Sequence, residues 1–268
     1  MHGWNGKFLR VNLTKQKANV QEYDAEMAKN FLGGRGFAAK ILWDELKPGI
    51  DPLSPENKLI FAVGPLTGFL LPSSGKLVVA TKSPLTGGYG DGNLGSYAAV
   101  QMRKAGYDAI IVEGQSEKPT ALLIQDGSTQ FLNADELWGL DSFETERKLR
   151  DIYGPTAGIL TIGLAGENLV KFANIVSQGG RAGGRPGVGA VMGSKNLKAV
   201  VIVGVGELKA ANPKELKDLG AEAYREILTK PNYAFWKRQG TMSTLEWSQE
   251  NSVLPTCNYK EGVFDEAD

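Results

Sequence analysis

A chain of 268 residues, 42% hydrophobic and 22% charged, is long enough for a substantial core and for two domains. Its 30 Lys and Arg balance 30 Asp and Glu, which excludes the basic excess of a nucleic-acid binder. One histidine (His2) and one cysteine (Cys257) exclude multi-histidine metal sites, most histidine catalysis and a disulfide framework.

In chain order, residues 7–13 and 18–23 predict a strand pair around a polar turn. Asp24 is a good N-cap for a helix ending at Leu32, before Gly33 and Gly34. A second helix is predicted over 36–46. The stretch 47–57 carries Pro48, Pro52 and Pro55 and must be irregular. Apolar strands follow at 58–63, 76–82, 108–113 and 120–125. The last turns at Asp126 and Gly127 into a strand over 129–132. A helix over 142–153 stops at Gly154 and Pro155. Further strands are expected at 158–162, 169–176 and 198–203. Beyond residue 205, Asn212, Pro213 and Glu215 supply an N-cap, a first-turn proline and an acid, so a helix should run to about Thr229. Trp236 and Trp247 are expected as core anchors there. These patterns predict a sheet-rich domain over 1–210 and the beginning of a helical domain over 211–268. No apolar run approaches the ~18 residues of a membrane span, and the first residues lack the apolar stretch of a secretory leader. A cytoplasmic location is the expectation.

Glycine is the unusual number: 34 of 268, about 13% against an ordinary ~7%. The glycines cluster between apolar runs. Residues 83–95 (SPLTGGYGDGNLG) follow a strand and precede a predicted helix over 96–105. Residues 177–189 (SQGGRAGGRPGVG) repeat the order of strand, serine, glycine loop, helix, glycine and strand about 90 residues later. Such a junction suits an anion, because loop amides point inward and a helix N-terminus adds partial positive charge. Arg181 and Arg185 add forks that match phosphate oxygens, and Lys76 and Lys82 lie on the strand feeding the first loop. Two related sites suggest a ligand with two phosphates or two phosphorylated halves. Neither loop is a Walker A or a clean dinucleotide fingerprint. A third glycine turn, Gly33-Gly34-Arg35-Gly36, reads equally well as a further contact or as a corner between helices.

The segments GGRGFAAKILW (33–43), DPLSPENKLIFAVGPLTG (51–68), GKLVVATKSPLTGGYGDGNLG (75–95), GYDAIIVEG (106–114), IGLAGENLVKFA (162–173) and GRAGGRPGVGAVMGSKNLKAV (180–200) resemble the N-terminal domain of the tungsten-containing aldehyde:ferredoxin oxidoreductases. The resemblance runs through essentially the whole chain. It implies an α+β fold of two intertwined β-rich repeats, forming the base for a bis-pyranopterin tungsten (or molybdenum) cofactor. It assigns cofactor contacts to Lys76, Asn93, Gly95, Arg181, Ala182, Gly184 and Arg185. It also implies a magnesium ion bridging the two pterin phosphates, held by the backbone carbonyls of Asn93 and Ala182. No catalytic residue is assigned within the chain.

The implied reaction takes an aldehyde to a carboxylic acid, with electrons passing through a 4Fe-4S cluster to ferredoxin or another electron-transfer protein. The family's cluster motif, C-x2-C-x3-C, falls beyond residue 268, and Cys257 does not sit in it; that cysteine reads as a half-buried hydrophobe. The cluster is therefore expected only with a C-terminal portion, supplied in the same polypeptide or as a half on a separate chain. The alternative is a non-catalytic pterin-binding fragment or subunit. No nucleic acid and no membrane are expected as partners.

Overall fold

Three helices start where a side chain closes them. The Asp24 carboxylate accepts the Met27 amide at 2.8 Å, the Ser96 hydroxyl accepts the Ala98 amide at 2.9 Å, and the Asp141 carboxylate accepts the Glu144 amide at 2.8 Å. Around these starts the chain was described in a computed structural model for residues 2–125 and 127–266. The turn expected at Asp126 lies outside the described residues.

The first half of the chain runs β1 (Lys7–Asn12), β2 (Lys17–Glu22), α1 (Ala25–Phe31), α2 (Arg35–Glu45), β3 (Leu59–Ala62), β4 (Lys76–Lys82), β5 (Tyr89–Gly95), α3 (Tyr97–Lys104) and β6 (Ala109–Glu113). The second runs β7 (Thr120–Gln125), β8 (Ser128–Asn133), α4 (Ser142–Tyr153), β9 (Gly158–Thr161), α5 (Leu164–Glu167), β10 (Ile175–Ser177), β11 (Arg181–Gly183), α6 (Val188–Ser194) and β12 (Leu197–Val203). Each half builds one six-stranded sheet, in the orders β2-β1-β6-β3-β4-β5 and β8-β7-β12-β9-β10-β11. The pairings correspond one to one. In each, the first and last strands of the half run parallel, as β1 with β6 and β7 with β12, and every other neighbour is antiparallel. The duplicated unit is thus a whole half of the domain, of which the glycine loops are one part, and the fold is α+β.

Alternation along the strands sorts the side chains into layers. Phe8, Ile60, Val78, Ala80 and Ile111 face α2, burying Phe37, Ala38, Ile41 and Leu42. The opposite face, with Leu9, Phe61, Val79 and Ile110, joins Leu122, Leu160, Val200 and Ile202 of the second sheet. Met102 of α3 and Val191 and Met192 of α6 lie within that same core. The outer face of the second sheet packs Leu123, Ile159 and Val201 on Leu149 of α4. Each such burial contributes about 1.5–3 kcal/mol before entropy is counted.

A buried polar knot ties the chain's beginning to β6. The Asp108 carboxylate accepts the Asn5 amide at 2.7 Å, the Gly6 amide at 2.8 Å and the Tyr23 hydroxyl at 2.6 Å, and it pairs with Arg103. Arg103 in turn donates to the Gly3 carbonyl at 2.8 Å.

The strand expected over 169–176 is a correction. Only Ile175–Ser177 pairs, and α5 with a turn at Leu169 (φ 57°) precedes it. The reason is packing of glycine on glycine. A methyl group at Gly193 would stand 2.0 Å from the Gly166 carbonyl oxygen, and one at Gly166 would stand 3.0 Å from that of Gly189. α5 lies against α6 through these residues, and that contact overrides the strand pattern.

Lys195 is fully buried, with its ammonium donating to the carbonyls of Pro55 (3.2 Å) and Gly114 (3.1 Å). Burial pushes it down to about 7, opposed in part by Glu113. Between pH about 7 and the ordinary lysine value of about 10.5, the unfolded chain holds a proton that the folded chain has released. Stability from this group therefore rises with pH across that window. Urea unfolding of the wild type and of Lys195→Met should diverge in the wild type's favour as pH rises from 7 to 10; a constant difference would contradict the assignment.

The chain divides into two compact units, Met1–Pro213 and Lys214–Asp268. The helix α7 (Pro213–Thr229) opens the second, followed by α8 (Tyr233–Gln239), a 3-10 turn (Gly240–Thr244) and α9 (Leu245–Glu250). Trp236 and Trp247 do not anchor a core: they are 45% and 60% exposed. Among the described residues this unit buries no hydrophobic side chain, because its last helices are too short to enclose an indole. Cys257, expected half-buried, is exposed in a left-handed turn (φ 49°). Among the described residues no helix is long and apolar enough to cross a membrane.

Candidate functional site

Both glycine-rich segments contain a strand that sequence alone read as loop. β5 pairs with β4, setting Lys76 opposite Gly95, Val78 opposite Asn93 and Ala80 opposite Asp91. Opposed residues of an antiparallel pair point to the same side. Lys76, Asn93 and Gly95 therefore share the α2 face, at the edge of the first sheet. β11 is the equivalent edge of the second sheet, with Ala182 opposite Val176 and Arg181 opposite Ser177.

The two edges meet each other. A methyl group at Gly92 would stand 2.0 Å from the Gly184 amide nitrogen, and one at Gly183 would stand 3.3 Å from the Asn93 carbonyl carbon and oxygen. The Ser83 hydroxyl donates to the Pro186 carbonyl at 2.6 Å, and the Ser96 and Ser177 hydroxyls share a hydrogen bond of 2.6 Å. Much of the glycine in these segments thus serves the approach of one hairpin to the other. Gly184 belongs to this group: it is buried at φ 95°, and a methyl there would stand 2.0 Å from a Val188 methyl.

This geometry corrects the anion reading based on helix ends. At α3, the Tyr97 amide donates to the Gln178 side chain at 3.0 Å and the Ala98 amide to Ser96. At α6, the Val188 amide donates to the Gly184 carbonyl at 3.3 Å and the Gly189 amide to that of Ala173 at 2.8 Å. These amides are already occupied, two by local caps and two, Tyr97 and Gly189, by more distant parts of the chain. What faces outward is a set of side chains. Lys76, Asn93, Arg181 and Arg185 are exposed and, among the described residues, make no side-chain hydrogen bond or ion pair. Ala182 is also exposed, and Gly95 has open space where a side chain would be. Lys82 is not available, since its ammonium donates to the Ile50 carbonyl at 2.6 Å.

The third glycine turn takes the second of the two forms the sequence allowed. It is a corner between α1 and α2, where a methyl at Gly36 would stand 2.0 Å from the Phe31 carbonyl oxygen. It also brings Arg35 to Asp91 of β5, Nε to Oδ2 at 2.5 Å. Burial and the Asp91 carboxylate push the neighbouring Tyr89 phenol up to about 12.

Sequence reasoning missed Glu146. Its carboxylate, buried on α4, accepts the Gly179 amide at 2.9 Å and pairs with Arg150, so it holds the loop from which Arg181 projects. The only signal for it was an i,i+4 acid–base pair, which is ordinary on a helix. Among the described residues no group of three or more His, Cys, Asp or Glu side chains is placed to hold a metal ion.

The family model described as "Aldehyde ferredoxin oxidoreductase, N-terminal domain" matches residues 8–204. The chain belongs to the aldehyde ferredoxin oxidoreductase family. The matched range covers both sheets almost completely and both edge hairpins. Tungsten-containing aldehyde ferredoxin oxidoreductases of Pyrococcus furiosus and Thermococcus kodakarensis are each 44% identical to it, over 98% and 100% of this chain and 44% of their own length. The WOR-like subunit of an aliphatic sulfonate oxidoreductase from Pyrococcus furiosus is 35% identical over 99% of this chain and 45% of its own length. The chain thus spans less than half the length of these relatives. Among solved structures, the active-site complex BamBC of benzoyl coenzyme A reductase with 1,5-dienoyl-CoA superposes with a TM-score of 0.80 at 38% identity, covering 84% of this chain and 35% of that one. The α+β architecture of the aldehyde ferredoxin oxidoreductase domain is thus shared with a solved relative.

Proposed function

We propose that this chain is the cofactor-holding part of an aldehyde-oxidising enzyme, seating a bis-pyranopterin tungsten (or molybdenum) cofactor across the meeting edges of its two sheets. The observation that carries the reading is the set of unpaired exposed donors, Lys76, Asn93, Arg181 and Arg185, on or next to the two edge hairpins related by the duplication. Such donors fit a doubly phosphorylated ligand: guanidinium forks take phosphate oxygens two at a time, and an ammonium acts as a point charge. Gly95 lets the ligand approach the backbone, and Gly184 leaves the room in which the Val188 side chain packs against the second hairpin. The carbonyls of Asn93 and Ala182 sit on adjoining stretches of backbone and are the proposed ligands of magnesium, a hard cation that takes oxygen donors.

When bound, the cofactor supplies the two-electron chemistry that turns an aldehyde into a carboxylic acid. This chain's residues orient it and neutralise its phosphates. The 4Fe-4S cluster is assigned to a C-terminal portion, as this stretch carries one cysteine. Ferredoxin or another electron-transfer protein is the proposed acceptor, and the location is cytoplasmic.

The test is cofactor retention. Protein purified from a host that makes the pterin should carry tungsten or molybdenum and pterin in constant ratio. Arg181→Ala and Arg185→Ala should each weaken retention by roughly 10- to 100-fold, the loss of a charge-assisted hydrogen bond. Unchanged retention in both variants would overturn the assignment.

A further inference from the structure

Arg35 is held in place by unusually close backbone contacts. A methyl at Gly33 would stand 2.6 Å from the Val63 carbonyl oxygen, and one at Gly34 would stand 3.3 Å from a Val78 methyl. With Gly36 against Phe31, the turn before α2 is pinned to the first sheet. From it the Arg35 Nε donates to Asp91, whose side chain is only 16% exposed, while that of Arg35 is 62% exposed. A guanidinium has five N–H donors. Nε uses one, and the four on Nη1 and Nη2 make no hydrogen bond within the described residues.

Arg10 shows the contrast. Its Nη1 and Nη2 grip Glu45 at 2.8 and 2.5 Å and its Nε reaches Gln21, so every nitrogen is used inside the protein. At Arg35 the carboxylate takes the back of the fork and leaves the two prongs turned outward. Asp91 and Asn93 lie on the same side of β5, two residues or about 7 Å apart, on the face that carries Lys76 and Gly95.

We propose that Arg35 is a fourth cationic contact for the ligand, beside Lys76, Arg181 and Arg185, reaching it from the Asn93 edge. Asp91 is its positioning residue, fixing Nη1 and Nη2 as a rigid two-pronged donor to a phosphate oxygen. The proposal rests on the pterin-phosphate reading above.

The experiment compares Arg35→Gln, Arg35→Lys and Lys40→Gln. Lys40 pairs with Asp44 on the same helix and serves as the control. Each protein is purified from a host that makes the pterin, with tungstate supplied. Tungsten and the pterin's fluorescent oxidation product are counted per chain after dilution and gel filtration, and the cofactor-free forms are melted. Arg35→Gln should retain about tenfold less of both, and Arg35→Lys several-fold less, because an ammonium tied to Asp91 offers no second prong. Lys40→Gln should match the wild type, and the cofactor-free melting temperatures should agree. Wild-type retention in Arg35→Gln, alongside loss in Arg181→Ala, overturns this inference and leaves the pterin reading standing. Loss accompanied by a strongly lowered melting temperature makes Arg35 structural and also overturns it. Wild-type retention in Arg35→Lys contradicts the two-pronged geometry. A wild-type protein that carries no pterin sinks both readings.

Discussion

Asp108→Ala is expected to lose about 3–5 kcal/mol of folding stability, the cost of stranding one member of a buried ion pair. The Arg103 and Asp108 side chains are 2% and 1% exposed. Removing the carboxylate leaves the guanidinium buried without its counter-charge. It also orphans the Asn5 and Gly6 amides and the Tyr23 hydroxyl, which all converge on one carboxylate oxygen. Burial, with a further push from that same carboxylate, raises the Tyr23 phenol well above its ordinary value. Because the knot reaches from residues 5 and 6 to β6, its loss should free the start of the chain before the sheets unfold. Urea unfolding measures the first effect, and amide exchange at Asn5 and Gly6 the second. The double variant Arg103→Met/Asp108→Leu should recover part of the loss, since no stranded charge remains. A deficit below about 1 kcal/mol for Asp108→Ala would contradict this account of the knot.

Gly92→Ala is expected to part the two hairpins. The added methyl would meet the Gly184 nitrogen at 2.0 Å and its Cα at 2.5 Å, and both are backbone atoms that no side-chain rotation can move. Overpacking of this kind costs about 1–3 kcal/mol. It should also lower cofactor retention, because Asn93 on one edge and Arg181 to Arg185 on the other must keep their spacing to hold one ligand. Gly95→Ala is the informative partner. Its methyl would enter open space, so stability should hold within about 0.5 kcal/mol. On the proposed reading that space belongs to the ligand, so retention should still fall. Stability lost in Gly92→Ala and kept in Gly95→Ala, with retention reduced in both, separates the packing glycine from the ligand-facing one. Full retention in Gly95→Ala would contradict the placement.

Local chemistry made much of this fold legible. Asp24 caps α1, α4 spans Ser142–Tyr153 between its expected ends, and the apolar runs became central strands. β5 and β11 were not legible, because glycine disfavours strands and only their pairing with β4 and β10 extends them. The repeat was visible in the loops, yet its true size depended on long-range pairings such as β1 with β6 that no local pattern encodes. At the site, Arg181 and Arg185 stood out as cations beside glycine. Lys76 stood out as a cation on the strand feeding the first loop, while Asn93 and Ala182 were assigned by resemblance and lie on the facing edge strands. The closed ends of α3 and α6 were hidden, since Gln178 and the Ala173 carbonyl arrive from elsewhere in the chain. Trp236 and Trp247 mislead for a related reason: an apolar side chain becomes core only when another element covers it.

The most direct measurement is diffraction from the protein carrying its pterin cofactor. Phosphate density within hydrogen-bonding reach of the Asn93–Gly95 edge and of Arg181 and Arg185, one head to each sheet, is the result this account predicts. Both phosphates lying elsewhere, such as in the charged cavity between Asn12, Lys58 and Glu113, would contradict it.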